Sequence, residues 1–151
     1  MKQHKFGTTQ SGFTLVELVV VIVILGILAA TALPRFINLT KEARTASVNG
    51  IAGGLRSSVG VVQARFFAKG TNATPVDMID GTNVAVSTTT GIPTGTLAGI
   101  GSALTSTDGF TVDYTTATAV TFRPTSGGSA TCQAAYDGTT GIVTVTTTGC
   151  N

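Results

Sequence analysis

Charged residues and histidine are scarce in this chain. Only 11% of the 151 residues are Asp, Glu, Lys or Arg, and His4 is the only histidine. The serines have no base close to them in the sequence, and no glycine-rich loop ends in the Lys-Ser or Lys-Thr pair that holds a phosphate. These absences argue against an enzyme. The many Gly and Thr residues fit a small β-rich extracellular domain better than a cytosolic enzyme.

Cysteine is also rare, since Cys132 and Cys150 are the only two. In an exported chain, two cysteines predict one disulfide. Closing a loop of about 19 residues should stabilise the fold by roughly 3 kcal/mol on a loop-entropy model. A metal site is not favoured, because His4 lies far upstream and no other soft ligand is present.

The few charges are sorted along the chain. Residues 35–69 contain six basic residues and one acidic residue, whereas residues 70–151 contain five acidic residues and one basic residue. Opposite charges on the two parts predict a salt-sensitive attraction between copies of the chain. Two solvated faces without a partner are an equally open interpretation.

The apolar run FTLVELVVVIVILGILAATAL covers residues 13–33 and is long enough to cross a bilayer as a helix. It could be a secretory signal peptide cleaved at Ala30-Thr31-Ala32, or a retained membrane anchor. Glu17 is unusual in either case, because a carboxylate in the apolar zone costs roughly 2.5–3.5 kcal/mol. It therefore needs a partner or a function, unless it lies close enough to the membrane surface to be hydrated.

Helical periodicity continues beyond the apolar run, which favours the retained anchor. A helix from about Phe13 to Lys69 would be roughly 85 Å long at 1.5 Å per residue. Such a helix cannot be buried in so small a domain, so its first half must face lipid or other copies. The apolar positions of the second half recur every three or four residues: Phe36, Leu39, Ala43, Ala46, Val48, Ile51, Leu55, Val59, Val62 and Phe66.

Two kinds of residue should disturb this helix. Pro34 lacks an N–H and crowds the preceding turn, so it predicts a kink, and Gly26 weakens the turn before it. The glycines at 50, 53, 54 and 60 each cost up to about 1 kcal/mol relative to alanine. They predict a close approach of other helices or of a sheet to that face.

Residues 71–109 are predicted to form a long, loop-rich connection, with a short helix within TGTLAGIGSAL. Four strand-like segments follow at residues 110–114, 119–123, 130–136 and 142–147. They predict an antiparallel four-stranded meander with one face on the apolar stripe of the helix. The expected fold class is therefore α+β, with a long N-terminal helix kinked near Pro34 and packed against a small antiparallel sheet.

The acidic residues give only weak ligand signals. Asp77 and Asp80 could belong to a calcium loop, but two aspartates without a third carboxylate are not specific. Asp113 and Asp137 could form a carboxylate pair, although isolated aspartates beside turns are usually solvated. We therefore expect no catalytic residue, no metal and no cofactor.

The segment Gly12-Phe13-Thr14-Leu15-Val16-Glu17 follows a short basic leader and opens an apolar helix with a proline. It resembles the class III signal of type IV pilins. The stretch Pro34-Arg35-Phe36-Ile37-Asn38-Leu39, with Glu42-Ala43-Arg44, is most similar to the MSHA (mannose-sensitive haemagglutinin) branch. The Cys132–Cys150 pair is similar to the C-terminal disulfide loop of such pilins.

This resemblance implies a role for each residue of the motif. Gly12 would precede the cut of a prepilin peptidase, and Phe13 would become the N-methylated N-terminus. Glu17 would accept the N-terminal amine of a neighbouring subunit. Gly26 and Pro34 would bracket an unwound section of the helix in filaments.

The resemblance also implies how the chain is divided. The type IV pilin-like divisions are a leader at 1–12, a transmembrane and filament-core helix at 13–34, an amphipathic helix at 35–70, an αβ-loop at 71–109 and the sheet with its disulfide loop at 110–151.

The implied function is that of a major pilin, which polymerises with other copies into an MSHA-type pilus for surface attachment or motility. The chain would lie in the bacterial inner membrane as a prepilin and then in the extracellular fibre, after contact with the prepilin peptidase and the assembly machinery. One alternative is a pseudopilin of a type II secretion system, although such pseudopilins commonly carry a calcium loop and lack the disulfide.

Another alternative is a minor or competence pilin that binds DNA. It would need a basic, aromatic-lined patch, and the candidate residues for this patch are Arg123, Tyr114, Phe122 and Tyr136. No nucleic acid is expected as a partner, because the exposed domain is acidic.

Overall fold

The computed structural model describes residues 12–70 and 74–151, without the side chains of residues 33–38. The chain divides into two compact units, Met1–Ile37 and Asn38–Asn151, which are described separately. Helix α1 spans Leu15–Lys69. The other elements are β1 (Val76–Asp77), β2 (Asn83–Val84), a π-helical turn (Leu97–Gly101), β3 (Phe110–Asp113), β4 (Val120–Pro124), β5 (Gln133–Tyr136) and β6 (Val143–Thr146).

Helix α1 follows the sequence prediction closely. Its helical assignment is continuous through Pro34, and the kink expected there stays a prediction. The helix ends at Lys69, whose side chain is a favourable cation at this end of the helix dipole. Gly70 follows with φ of +94°, the left-handed conformation in which glycine commonly ends a helix.

The four predicted strands form one antiparallel sheet in the order β3-β4-β5-β6, which confirms the meander. Val112 pairs with Phe122, Phe122 with Ala134, and Ala134 with Val145, so these side chains lie on one face. The third strand starts at Gln133, later than the predicted residue 130. The preceding residues turn back through an isolated bridge between Ser129 and Cys132.

The main core lies between this sheet and one face of α1. Val48, Ala52, Leu55 and Val59 are buried against a sheet face in which alternate residues point inward. These helix positions repeat every three or four residues, as the stripe predicted. The sheet contributes Val120, Phe122, Ala134, Tyr136 and Val143 to the same cluster.

The sheet does not cover the predicted stripe at Leu39, Ala43 and Ala46, and the side chain of Phe36 lies outside the described residues. Leu39 is 60% exposed, and Ala43 and Ala46 are not buried either. Periodicity indicates which face of a helix is apolar, but the sheet covers that face only from Val48 onward. Near the earlier turn, the Arg44 guanidinium lies against Gly127 instead.

The segment before the sheet contains more structure than the predicted loop. Strands β1 and β2 form a two-stranded antiparallel hairpin, and its valines pack on Val62 and Phe66 of α1 in a second core cluster. The Lys69 ammonium pairs with the Asp77 carboxylate, and Arg65 Nε donates to the Asp77 carbonyl oxygen at 3.1 Å. This hairpin therefore covers the last turns of α1. The short helix predicted within TGTLAGIGSAL is present as the π-helical turn.

Three backbone segments meet in close contact beside the sheet. The Tyr136 hydroxyl donates to the Pro93 carbonyl oxygen at 2.6 Å, and Gly138 N–H donates to the Ala117 carbonyl oxygen at 3.0 Å. A Cβ on Gly138 would lie 2.1 Å from Gly95 N, so only glycine fits there. Burial raises the pKa of the Tyr136 hydroxyl, which keeps it protonated as a donor.

The helix glycines do not receive the close approach that their cost predicted. A Cβ built on Gly50, Gly53 or Gly60 would meet no atom of the described residues within 4 Å. A Cβ on Gly54 would meet Leu104 Cδ2 at 4.0 Å, an ordinary contact. The sheet therefore does not explain these glycines, and contact with other copies stays a prediction.

We expect Gly138→Ala and Gly60→Ala to change stability in opposite directions. The first forces a Cβ into Gly95 and should cost about 1–3 kcal/mol. The second removes a flexible residue from an open helix face and should stabilise by up to about 1 kcal/mol. Denaturant unfolding of the chain in detergent, followed by the fluorescence of Tyr114 and Tyr136, measures both. Equal stability of the two variants would contradict the assigned packing.

Candidate functional site

The start of α1 is organised by reciprocal hydrogen bonds between Thr14 and Glu17. Glu17 N–H donates to Thr14 Oγ1 at 3.2 Å, and Thr14 N–H donates to Glu17 Oε2 at 2.9 Å. The Thr14 hydroxyl also donates to Glu17 Oε2, at 2.7 Å. This arrangement is a capping box, in which each side chain satisfies a backbone N–H that the first helical turn leaves free.

This box was not predicted above, although the sequence contains its signal. A threonine followed three residues later by a glutamate, directly before an apolar run, is typical of a helix N-terminus. Glu17 thus has a second role as a capping residue, in addition to carrying a charge. Thr14 therefore belongs to the site, although it was not among the predicted site residues.

The box satisfies hydrogen bonds of the Glu17 carboxylate but leaves its charge uncompensated. Both donors to Glu17 Oε2 belong to Thr14 and are neutral, and no cation pairs with Glu17 within residues 12–70 and 74–151. Hydrogen bonds reduce the cost of placing a carboxylate in an apolar environment, but a charge without a partner still carries most of that cost. Glu17 therefore remains available for a cation from outside the described chain.

Gly12 and Phe13 lie just outside this helix start. Both are exposed, and the Phe13 ring is 92% exposed. A Cβ on Gly12 would meet no atom of the described residues within 4 Å. The backbone between these residues is therefore not covered by the rest of the described chain.

The helix behind the capping box is apolar and uncovered. Residues Leu15–Ala32 have a mean hydropathy of 2.8, and none of them is buried. By length and composition this segment could cross a membrane. Gly26 lies within it, and a Cβ there would meet nothing within 4 Å among the described residues. The side-chain surroundings of Pro34 lie outside the description, as do residues 1–11 of the predicted leader.

The predicted disulfide is confirmed. Cys132 and Cys150 are bonded, with their Cα atoms 4.8 Å apart, and both are fully buried in the main core. Gly149 N–H donates to the Thr131 carbonyl oxygen at 2.9 Å, which adds a backbone bond beside the bridge. The bridge thus ties the C-terminus to the residue before β5.

The aspartates considered for calcium have local partners. Lys69 hydrogen-bonds the Asp77 carboxylate and lowers its pKa. Asp80 accepts the Thr82 N–H at 2.9 Å, and hydrogen bonds from Thr82 lower the pKa of Asp80. No group of three or more His, Cys, Asp or Glu in the described part of the chain could hold a metal ion.

Asp113 and Asp137 each hold their own turn. Asp113 binds the side chain and the N–H of Thr115, and Asp137 binds the N–H of Thr139. These hydrogen bonds lower the pKa of both carboxyl groups, because they favour the charged form. Carboxylates with lowered pKa values are poor proton donors near neutral pH, so this pair offers no general acid.

The aromatic patch considered for DNA is not present on the surface. Phe122 and Tyr136 are fully buried in the main core, and Tyr114 is half-buried. Arg123 Nε donates to Gln133 Oε1 at 2.8 Å on the other face of the sheet. The residues named for DNA binding therefore do not form one exposed surface, because strand alternation turns two of them inward.

Comparison with known proteins points to the helix start as the functional feature. Residues 7–33 match the family model described as the prokaryotic N-terminal methylation motif. The chain is 52% identical over 56 residues to the type IV narrow pilus major component PilA5 of Thermus thermophilus, which is 36% of this chain and 48% of that protein.

Two further relatives give the same indication. The chain is 43% identical over 76 residues to a fimbrial protein of Moraxella nonliquefaciens, covering 48% of this chain and 49% of that protein. It is 47% identical over 53 residues to the type IV major pilin protein PilE1 of Neisseria gonorrhoeae, covering 35% and 32%. The chain thus spans half or less of the length of these relatives. No solved structure matches it.

These comparisons establish a prokaryotic N-terminal methylation motif and homology to type IV major pilins over part of the chain. The matched residues 7–33 include the capping box and the apolar helix segment that by length and composition could cross a membrane.

We expect Thr14→Val to loosen the first turn of α1. Valine has the size of threonine but cannot accept the Glu17 N–H, and loss of a cap of this kind costs about 1 kcal/mol. Amide hydrogen exchange of the chain in detergent should become faster at Glu17 and Leu18. Thr14→Ser keeps the hydroxyl and should exchange like the parent. Unchanged exchange in the valine variant would rule out the capping box.

We expect the Cys132–Cys150 disulfide to resist reduction in the folded chain. Both sulfur atoms are buried, so a thiol reagent should reach them only after the fold opens. Mass spectrometry after treatment with dithiothreitol and an alkylating reagent should show the two labels only when denaturant is added. Labelling at the same rate with and without denaturant would contradict this.

Proposed function

We propose that this chain is a structural subunit, a major pilin, that polymerises into a type IV pilus. The observation that carries the proposal is the wholly uncovered apolar helix segment Leu15–Ala32, which contains Glu17 in its first turn and lies within a methylation motif. An enzyme or a soluble binding protein would gain nothing from this helix. A subunit that moves from lipid into a helical fibre core uses it in both places.

Processing occurs after Gly12 and creates the N-terminus at Phe13. The exposed backbone on either side of this bond supports access by a prepilin peptidase. Thr14 and Glu17 both lie after the cut, so the capping box survives it. The new amine of Phe13, which is then N-methylated, is a cation one residue away from the box.

Glu17 accepts this cation from a neighbouring subunit. A carboxylate and an amine placed together in an apolar fibre each relieve the cost of burying the other. Without a neighbour, the described chain offers the Glu17 carboxylate hydrogen bonds only from the neutral groups of Thr14. The free energy that Glu17 gains from this cation favours leaving the membrane for the fibre. The charge pair also sets the register between subunits.

Gly26 and Pro34 bracket the part of the helix that unwinds in the filament. Gly26 lowers helix stability because of its backbone freedom, and Pro34 cannot donate the backbone hydrogen bond of an ordinary helical residue. These two properties support a local loss of helix between them.

The finer proposal is a pilus of the MSHA type that attaches the cell to surfaces. It rests on the likeness of residues 34–44 to that branch and on the disulfide near the C-terminus. The bonded cysteine pair also favours a surface pilin over a type II secretion pseudopilin. The prepilin lies in the inner membrane and the assembled subunit outside the cell.

Electron microscopy of cells with and without the gene tests the proposal. Loss of long surface filaments on deletion, with return on complementation, is the expected result. Intact filaments together with failed protein secretion would favour the pseudopilin instead. Adhesion of both strains to a coated surface tests the attachment role separately.

We expect Glu17→Gln to permit membrane insertion and cleavage after Gly12 but to abolish incorporation into filaments. Glutamine can keep the capping box, because its side-chain oxygen still accepts the Thr14 N–H, but it lacks the charge. Glu17→Ala removes both and should fail in the same way. Glu42→Gln, which changes the other acid of α1, should assemble normally. Filament recovery and the mass of the processed subunit measure the outcome, and normal filaments from the Glu17→Gln variant would refute the charge role.

A further inference from the structure

Three aspartates of this chain are followed directly by glycine, in the pairs Asp80-Gly81, Asp108-Gly109 and Asp137-Gly138. In such a pair the backbone nitrogen of the glycine can attack the side-chain carboxyl carbon of the aspartate, because glycine has no side chain to hinder the approach. The attack needs a glycine N–H that no acceptor holds and a carboxyl group that is free to turn toward it. The three pairs differ in both respects.

The pair Asp137-Gly138 is held at both groups. Gly138 N–H donates to the Ala117 carbonyl oxygen at 3.0 Å, and Asp137 Oδ1 accepts the Thr139 N–H at 2.8 Å. Gly138 also packs so closely that a Cβ on it would lie 2.1 Å from Gly95 N. Neither reacting group can therefore move unless this turn opens.

The pair Asp80-Gly81, in the turn between β1 and β2, is exposed but is also held. Gly81 N–H donates to the Met78 carbonyl oxygen at 3.1 Å, and Asp80 Oδ1 accepts the Thr82 N–H at 2.9 Å. The hydrogen bonds to Asp80 and to Asp137 lower the pKa of both carboxyl groups. They favour the charged form, which reacts less readily because an oxygen of the carboxyl group has to leave as water.

The pair Asp108-Gly109 is free at both groups. Both residues are exposed, and within the described residues no acceptor holds the Gly109 N–H and no donor holds the Asp108 carboxylate. Asp108 lines a groove of about 690 Å³, and Gly109 lines a second groove of about 410 Å³. A Cβ on Gly109 would meet no described atom within 4 Å. The described chain therefore leaves the space around both groups open to water.

We propose that Asp108-Gly109 is a site at which the folded chain rearranges spontaneously to isoaspartate. The Gly109 nitrogen forms a bond to Asp108 Cγ, the bond from Cγ to its hydroxyl oxygen breaks, and the hydroxyl leaves as water with the proton of the N–H. The product is a five-membered succinimide ring.

One molecule of water then opens this ring. Attack at Cγ regenerates aspartate, whereas attack at the backbone carbonyl carbon of Asp108 breaks the bond from that carbon to the Gly109 nitrogen. In the second case the chain continues through Cγ, and the former backbone carbonyl becomes the free carboxylate. One water is lost and one is regained, so the mass is unchanged and no other reactant is needed.

The change lengthens the backbone by one methylene group beside the start of β3. Phe110 N–H donates to the Thr107 carbonyl oxygen at 3.0 Å, and Thr125 N–H donates to the Gly109 carbonyl oxygen at 2.9 Å. Both bonds cross or adjoin the altered link, so the added length should weaken them. Isoaspartate at this position should therefore loosen the end of the sheet at which β3 begins.

Prolonged incubation of the full chain in detergent, at near-neutral pH and physiological temperature, tests the site. Isoaspartate is located in proteolytic peptides by electron-transfer fragmentation, which distinguishes it from aspartate. We expect it to accumulate at least about tenfold faster at Asp108 than at Asp137, because reaction at Asp137 requires local opening of its turn. Equal rates at these two positions in the folded chain would overturn the proposal.

The unfolded chain is the control for the effect of sequence. In denaturant the three pairs should react at similar rates, since the dipeptide is the same and no hydrogen bond protects it. A preference for Asp108 that persists in denaturant would show that the fold does not select the site. Asn49-Gly50 lies within α1, where helical hydrogen bonding holds the Gly50 N–H, and its deamidation would change the mass.

The matched variant is Asp108→Glu. It keeps the carboxylate, but attack by Gly109 would have to close a six-membered ring, which forms more slowly. Amide exchange at Thr125 should become faster as the parent chain ages and should stay constant in the variant. Equal acceleration in both chains would overturn the role of isoaspartate in loosening the start of β3.

Discussion

None of the residues Leu15–Ala32 is buried, although almost all of them are apolar. Burying one Val, Leu or Ile side chain is worth about 1.5–3 kcal/mol, so a segment of this length represents more free energy than the roughly 5–15 kcal/mol that holds a typical domain together. No other element of the described residues covers this apolar surface. The surface must therefore be covered by lipid or by other helices, and the rest of the molecule is arranged around that need.

The second unit must then be stable without help from the apolar helix segment. A unit of little more than a hundred residues has a modest core. It is built on the face of α1 from Val48 to Phe66, with the sheet over one part and the β1–β2 hairpin over the other. The buried disulfide closes the C-terminus onto this core, and the close contacts around Gly138 fix the loops beside it. These devices allow the same unit to remain folded in the membrane-anchored and in the proposed fibre state.

Sequence patterns predicted the helix and the strands of the sheet better than they predicted the packing contacts between them. Alternation identified all four strands of the sheet, and two cysteines in an exported chain predicted the bridge. Periodicity found the apolar face of α1 but not its limit, because the reach of the sheet depends on tertiary packing. The same alternation that places Phe122 inward also places Tyr136 inward, which removes the aromatic patch. Thr14 differs from these cases, because its capping signal is local: a threonine stands three residues before Glu17 and directly before an apolar run, so the sequence alone was sufficient to predict it.

The charges of this chain lie in two different environments, and the free energy of their interactions differs accordingly. Lys69 and Asp77 pair at the surface, where water and salt screen them, so this pair contributes little free energy and mainly holds the β1–β2 hairpin at the end of α1. Glu17 lies at the start of an apolar helix, where a charge is expensive and an opposite charge is correspondingly valuable. In the proposed fibre, apolar packing would supply the free energy of assembly, and Glu17 would penalise a subunit that has no neighbour.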